Sequence, residues 1–100
     1  MKKNKISAVT VLYNFDEKVI SNIKTYENYV DEVILIDNSD TSDYFNLYKE
    51  QLKKYTYISM NGNTGIAVAL NRGIEYSKEK GYDWVITFDQ DSYLRNNIID

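Results

Sequence analysis

Apolar positions along the chain fall into blocks that alternate between two periods. Ile6 to Leu12 is β-branched and nearly continuous, the pattern of a strand buried on both faces. Asn14 or Asp16 is placed to cap a following helix, with Glu17 in its first turn. Val19, Ile20, Ile23 and Tyr26 then recur at helical spacing. Glu32 to Asp37 is a second apolar strand, and Asn38 to Ser42 is a run of turn and cap residues. Phe45, Tyr48, Leu52 and Tyr55 make a second helical stripe. Tyr55 to Met60 predicts a short third strand, followed by a loop over Asn61 to Gly65. Ile66, Leu70 and Ile74 predict the apolar face of a third helix, stopped by Lys78-Glu79-Lys80-Gly81. Trp84 to Phe88 is a fourth strand, ending at Asp89.

The order is β-α-β-α-β-α-β. Such alternation predicts a Rossmann-like three-layer α/β/α fold with a mainly parallel sheet and right-handed crossovers. Open sheets of this kind bind ligands beyond the carboxyl ends of their strands. Tyr13 and Asn14 follow strand 1, Asp37 ends strand 2, the Asn61–Gly65 loop follows strand 3, and Asp89 and Asp91 follow strand 4. Residues far apart in sequence are therefore expected on one rim.

Composition narrows the chemistry. The 100 residues are 43% hydrophobic and 27% charged with both signs interspersed, which allows one core and argues against disorder. No linker, repeat or low-complexity block divides residues 1–100, so a single domain is expected. The ten tyrosines accompany abundant Lys, Asn and Ile, and carry no collective function. The net charge of −3 argues against a nucleic-acid partner, and an anionic ligand would need a metal or backbone N–H groups. With no cysteine and no histidine, thiol catalysis, Cys/His zinc sites and Ser-His-Asp triads are excluded. Met1-Lys2-Lys3-Asn4-Lys5 before Ile6–Leu12 has the outline of a signal peptide, but the run is short and lacks a small-residue cleavage site. It reads as a basic lead into a strand. No run is long enough to cross a membrane.

Each candidate residue has two readings. Asp89-Gln90-Asp91 pairs two hard oxygen donors suited to Mg²⁺ or Mn²⁺, or it is a solvated acidic turn. Asp37 accepts a hydrogen bond from a base or ribose, or it caps the Asn38–Ser42 turn. Tyr13 stacks on a base, or it packs. Asn63-Thr64-Gly65 opens a helix whose N-terminus favours anions, or it is a simple cap. Asn71 and Arg72 lie two turns into that helix, beside a diphosphate or in solvent.

Four blocks, taken together, resemble a known family. They are Val9-Thr10-Val11-Leu12-Tyr13-Asn14, Val33-Ile34-Leu35-Ile36-Asp37-Asn38-Ser39, Asn63 to Gly73, and Phe88-Asp89-Gln90-Asp91-Ser92. In this order and spacing they are similar to the family 2 glycosyltransferases of the GT-A fold. The Asp-Gln-Asp-Ser form most resembles the bacterial rhamnosyltransferase branch.

The resemblance implies an inverting sugar transfer from a nucleotide-diphospho-sugar, dTDP-rhamnose or a UDP-sugar, in bacterial polysaccharide synthesis. Tyr13 would lie against the base and Asp37 would bind its edge. Asp89 would bind the ribose or the metal-bound diphosphate, and Asp91 would coordinate Mg²⁺ or Mn²⁺. Asn63, Gly65 and Asn71 would shape the nucleotide pocket. The acceptor would be a saccharide or lipid-linked saccharide, and the protein cytoplasmic or membrane-peripheral. Family members are longer, with an acceptor region and a general base after the paired aspartates. The resemblance therefore implies that this chain is the N-terminal donor-binding portion, inactive alone, with the base beyond residue 100. Asp100 lies too near the end to fill that role. A fourth strand without its usual neighbour implies an exposed apolar edge and a homo-oligomer formed through it.

Other readings meet specific obstacles. A Rossmann dehydrogenase requires G-x-G-x-x-G after strand 1, where this chain has Tyr13 to Lys18 with no glycine. A nucleotidyltransferase would carry a Gly-rich basic loop there. A receiver-like module needs a phosphoacceptor Asp after strand 3, where Ser59-Met60-Asn61 stands. A non-catalytic α/β scaffold stays open, because every candidate has a local structural reading.

Overall fold

Strands and helices alternate along the chain in the computed structural model, which describes residues 4–95. Met1 to Lys3 and Asp100 lie outside the described residues. The strands are β1 (Ile6–Leu12), β2 (Glu32–Asp37), β3 (Tyr55–Ser59) and β4 (Trp84–Asp89). The helices are α1 (Glu17–Lys24), α2 (Asp43–Tyr48) and α3 (Ile66–Glu79). All pairings are parallel and the strand order is β3-β2-β1-β4. The expected three-layer α/β fold is the one observed.

The order explains the layers. From β1 the chain steps outward to β2 and then β3, so α1 and α2 cover one face. The crossover through α3 then runs back past β2 and β1 to β4. A right-handed connection in that reversed direction must lie on the opposite face. Strand alternation matches: Ala8, Leu12, Val33 and Leu35 pack against Val19, Ile20 and Ile23 of α1 and Phe45 of α2. Val9, Ile34 and Ile36 pack under Ala69 of α3. Each fully buried aliphatic side chain contributes about 1.5–3 kcal/mol relative to exposure.

α1 begins where its cap residue allows. Asp16 accepts a hydrogen bond from Lys18 N at 3.0 Å, making Asp16 rather than Asn14 the N-cap. The helix stops at Lys24, so Tyr26 lies beyond it, yet Tyr26 is buried, stacked on Phe88 at 3.9 Å and bonded through its hydroxyl to Thr10 at 2.6 Å. The second stripe is shorter than its spacing predicts. α2 gives way to a 3₁₀ turn over Lys49–Gln51, Leu52 is extended, and Tyr55 opens β3. Leu52 still reaches the α1/α2 core, but from extended backbone. Met60 is not part of β3, although its N–H bonds to Asp37 O at 2.9 Å.

The expected face of α3 is corrected. Of the three expected residues only Leu70 packs, half-buried, against the α3-side core; Ile66 and Ile74 are exposed, and the residues buried against the sheet are Ala69, Gly73 and Ser77, spaced one turn apart. The reason is distance. A Cβ on Gly73 would lie 2.4 Å from Val9 Cγ1, so only a stripe of small residues lets α3 settle on β1. Ser77 bonds to Ser7 of β1 at 2.8 Å within this contact. At the far end Gly81 N bonds to Lys78 O and Tyr82 N to Ser77 O, both at 3.1 Å, a Schellman stop.

β4 is an edge strand among the described residues. It registers Trp84 with Ile6, Ile86 with Ala8 and Phe88 with Thr10, so these three face the α1 side. Phe88 is covered by Tyr26, whereas Trp84 and Ile86 are 61% and 43% exposed.

Candidate functional site

The strand order reverses between β1 and β4, and a crevice forms where neighbouring loops leave in opposite directions. A cavity of about 410 Å³ sits there. Val11 and Asp89, registered neighbours on β1 and β4, form its floor on the α3 side of the sheet. Tyr13 forms one wall and the start of α3 the other. A smaller cavity of about 210 Å³ shares Val11, Ile66 and Asp89 and continues along α3 and β4 past Leu70, Thr87 and Ser92.

The acidic pair comes from the end of β4. Asp89 is its last residue, and a bond from Ser92 N to Asp89 O at 2.9 Å folds the next three residues into a turn. Asp89 and Asp91 are both exposed and both line the cavity. Between them, Gln90 turns its side chain to the loop after β1. Its Oε1 accepts from Tyr13 N at 2.9 Å and its Nε2 donates to Tyr13 O at 3.4 Å. Its main-chain oxygen accepts from Asn22 Nδ2 of α1 at 3.1 Å.

The opposite wall is the N-terminus of α3. Its N-cap is Gly65 at φ +86°, a left-handed conformation that side chains rarely adopt. Neither neighbouring side chain caps the helix. Asn63 Oδ1 accepts from Gly65 N at 2.9 Å, and Thr64 Oγ1 donates to Asn38 Oδ1 at 2.9 Å. Asn38 Nδ2 in turn donates to Gly65 O at 3.2 Å. These bonds fix the loop to the end of β2 and leave the helix's first N–H groups without a side-chain cap, beside the cavity. Such N–H groups and the helix dipole favour an anion.

Of the expected site residues, the structure brings together Tyr13, Asn63, Gly65, Asp89 and Asp91. Asp37 lies on the same rim but faces the other way. It registers with Leu12, whose side is covered by α1 and α2, whereas Val11 and Asp89 face α3. Asp37 is fully buried and both its oxygens are engaged, Oδ1 by Ser39 N at 2.9 Å and Oδ2 by the Tyr57 hydroxyl at 2.6 Å. Burial, and then the bond to Asp37, push the Tyr57 phenol up to about 12. Asn71 is exposed on α3 and is not one of the residues lining the cavity, and Arg72 pairs with Glu75 at 3.9 Å. Four lining residues lie outside the expected set: Val11, Asn38, Ile66 and Gln90. Asn38 and Gln90 each adjoin an expected aspartate at a strand end, and both stand in the blocks that carry the family resemblance.

The donor set fits a divalent cation that a ligand helps to hold. Among the described residues no three or more His, Cys, Asp or Glu side chains converge on one point. Two carboxylates remain, and Mg²⁺-type sites commonly use one or two carboxylates plus substrate phosphates. Among the described residues no Lys or Arg lines either cavity.

The family profile described as "Glycosyl transferase family 2" matches residues 7–98. A dTDP-rhamnosyl transferase, RfbF of Shigella flexneri, is 39% identical over 100 residues, covering 94% of this chain and 32% of that protein. The chain thus spans about a third of that relative's length, 32%.

Proposed function

The chain belongs to glycosyl transferase family 2, and on that premise we propose that its cavity binds the nucleotide-diphosphate part of a sugar donor. The observation that carries this reading is the pairing of two exposed carboxylates with an uncapped helix start across one cavity that, among the described residues, is lined by no cationic side chain. A diphosphate beside Asp89 and Asp91 would be repelled unless a cation bridged them. The proposal therefore includes Mg²⁺ or Mn²⁺, held by Asp91 and Asp89. When bound, the metal supplies charge stabilisation to a departing diphosphate.

The chain's own groups do the rest. The first N–H groups of α3 take phosphate oxygens, and Tyr13 lies against the base. Val11 in the floor and Ile66 in the α3 wall give the cavity its apolar surface. Asn63 and Gly65 shape the wall. Asp37 supports the rim from the α1/α2 side through Ser39. The donor is a dTDP- or UDP-sugar, with dTDP-rhamnose favoured by the relative. The acceptor is a saccharide or lipid-linked saccharide. No general base is assigned among the described residues, because the cavity's two carboxylates are given to the metal. Residues 1–100 are proposed as one donor-binding domain that does not turn over alone, in a cytoplasmic or membrane-peripheral protein that self-associates through β4. Among the described residues no helix is long and apolar enough to cross a membrane.

Isothermal titration of dTDP and UDP with and without Mn²⁺ tests the reading. Binding is expected to require Mn²⁺, and Asp91→Ala is expected to remove that dependence. A folded wild type that binds neither nucleotide, or an Asp91→Ala variant with unchanged Mn²⁺-dependent affinity, would sink it.

A further inference from the structure

Gln90 sits between the two carboxylates, yet its side chain serves the other half of the cavity. Its amide makes a reciprocal pair with the main chain of Tyr13, accepting from N at 2.9 Å and donating to O at 3.4 Å. Tyr13 lies in the loop between β1 and α1, and the β1–β4 pairing extends only as far as Val11 and Asp89. Beyond that register the two strands separate, and the Gln90 amide takes up the backbone groups that a longer ladder would have paired. The acidic turn is tied separately to α1. Asn22 Nδ2 donates to Gln90 O at 3.1 Å, and Leu94 N donates to Thr25 Oγ1 at 2.8 Å. Those two bonds hold the turn in place. Of the hydrogen bonds the turn makes among the described residues, those from the Gln90 side chain are the ones that reach the Tyr13 loop.

We infer that Gln90 is a positioning residue that fixes the distance between the base-side wall at Tyr13 and the Asp89/Asp91 pair, so that one nucleoside diphosphate spans both. This inference rests on the donor-binding reading of the cavity. A ligand that bridges two subsites gains when their spacing is set before it arrives, because ordering them on binding costs affinity. The gain belongs to the connected ligand alone. A nucleoside without phosphates, or a metal pyrophosphate without a base, touches one side of the clamp and does not sense the spacing. Gln90 lines the cavity, but its amide oxygen and nitrogen are both taken up by the Tyr13 backbone.

The test compares whole and parts. Gln90→Met keeps length and bulk but cannot make the reciprocal pair, and Gln90→Ala removes the side chain beyond Cβ. Binding of dTDP with Mn²⁺, of thymidine, and of pyrophosphate with Mn²⁺ is followed by NMR chemical shifts, which register millimolar affinities. Loss of the preset spacing is expected to weaken dTDP·Mn²⁺ by about tenfold in Gln90→Met, with the two pieces within about twofold of wild type. Exchange of the Tyr13 amide proton is expected to quicken in the same variant. Unchanged dTDP·Mn²⁺ affinity or unchanged Tyr13 exchange overturns the inference. So does equal weakening of either piece, which would mark Gln90 as a direct contact or a packing residue. A wild type that fails to bind dTDP·Mn²⁺ overturns the donor-binding reading itself, and the Gln90 role with it. The two failures are thus told apart by the wild-type titration.

Discussion

Gly73 of α3 lies directly over Val9 of β1, and a Cβ added to residue 73 would come within 2.4 Å of Val9 Cγ1 and 3.2 Å of its Cγ2. Val9 is fully buried and β-branched, so it has little rotamer freedom to yield. Gly73→Ala therefore sets a gain in helix propensity of about 1 kcal/mol against overpacking of about 1–3 kcal/mol. Net destabilisation is expected, read as a lower urea midpoint. Gly73→Ala with Val9→Ala is expected to recover part of the overpacking loss in a double-mutant cycle. A single variant as stable as wild type would show that α3 moves away from the sheet without cost.

Tyr57 carries Asp37. Tyr57→Phe leaves Asp37 Oδ2 buried without its hydroxyl partner, while the Phe45–Tyr57 stack at 3.7 Å survives in kind. An unsatisfied buried group costs about 1–3 kcal/mol, more when charged. Stability is expected to fall by that order, and the deficit is expected to shrink in Asp37→Asn, whose amide is uncharged. Equal chemical-denaturation curves for Tyr57→Phe and wild type would remove this support role.

The same phenol predicts alkaline behaviour. Tyr57 and Tyr26 are each raised from 10.0 to about 12, in both cases chiefly by burial. The folded state thus holds these protons more tightly than the unfolded chain. Their stabilisation is complete below about pH 10 and is lost as pH rises through about 12. A tyrosinate absorbance titration should show a late-ionising fraction among the ten tyrosines, released together with unfolding. Tyr57→Phe is expected to lower the amplitude of that late phase. Ionisation of every tyrosine near pH 10, with no cooperative late phase, would contradict it.

How much of this was legible in the chain follows from what each residue answers to. β1 and β2 begin and end where expected, because a strand buried on both faces reads as one nearly continuous β-branched and aliphatic run. The face of α3 was not legible. Spacing favours the large residues Ile66, Leu70 and Ile74, of which only Leu70 packs at the margin, while the sheet accepts the small ones, Ala69, Gly73 and Ser77, because that contact is set by backbone distance. Ile66 is thereby released to line the cavity. The rim was legible as a set of strand ends, yet the direction of Asp37 was not. Its side is decided by its register with Leu12, and its partner is Tyr57, 20 positions away on β3. Gln90 reads as a spacer in the sequence because its partner is main chain, which carries no residue-type signal.

The outer edge of β4 yields the last prediction. Its far side has no strand partner among the described residues, so a row of N–H and C=O groups stands open. Next to that row, on the α1 face, Trp84 and Ile86 are 61% and 43% exposed and point the same way. Natural sheet edges are usually blunted by Lys, Pro, a bulge or a covering element, and Trp84–Asp89 contains no Lys or Pro. Burying most of one Trp and one Ile removes apolar area at about 25 cal/mol per Å², a gain that a second β4 edge can share symmetrically. The chain by itself is therefore expected to self-associate as concentration rises, seen as an increasing mass in light scattering. Trp84→Lys places a charge beside the open edge and is expected to shift the mass to the monomer without lowering stability by more than about 0.5 kcal/mol, since the site is a surface one. A wild type that stays monomeric at high concentration would show that the exposed pair and the open edge do not suffice for association.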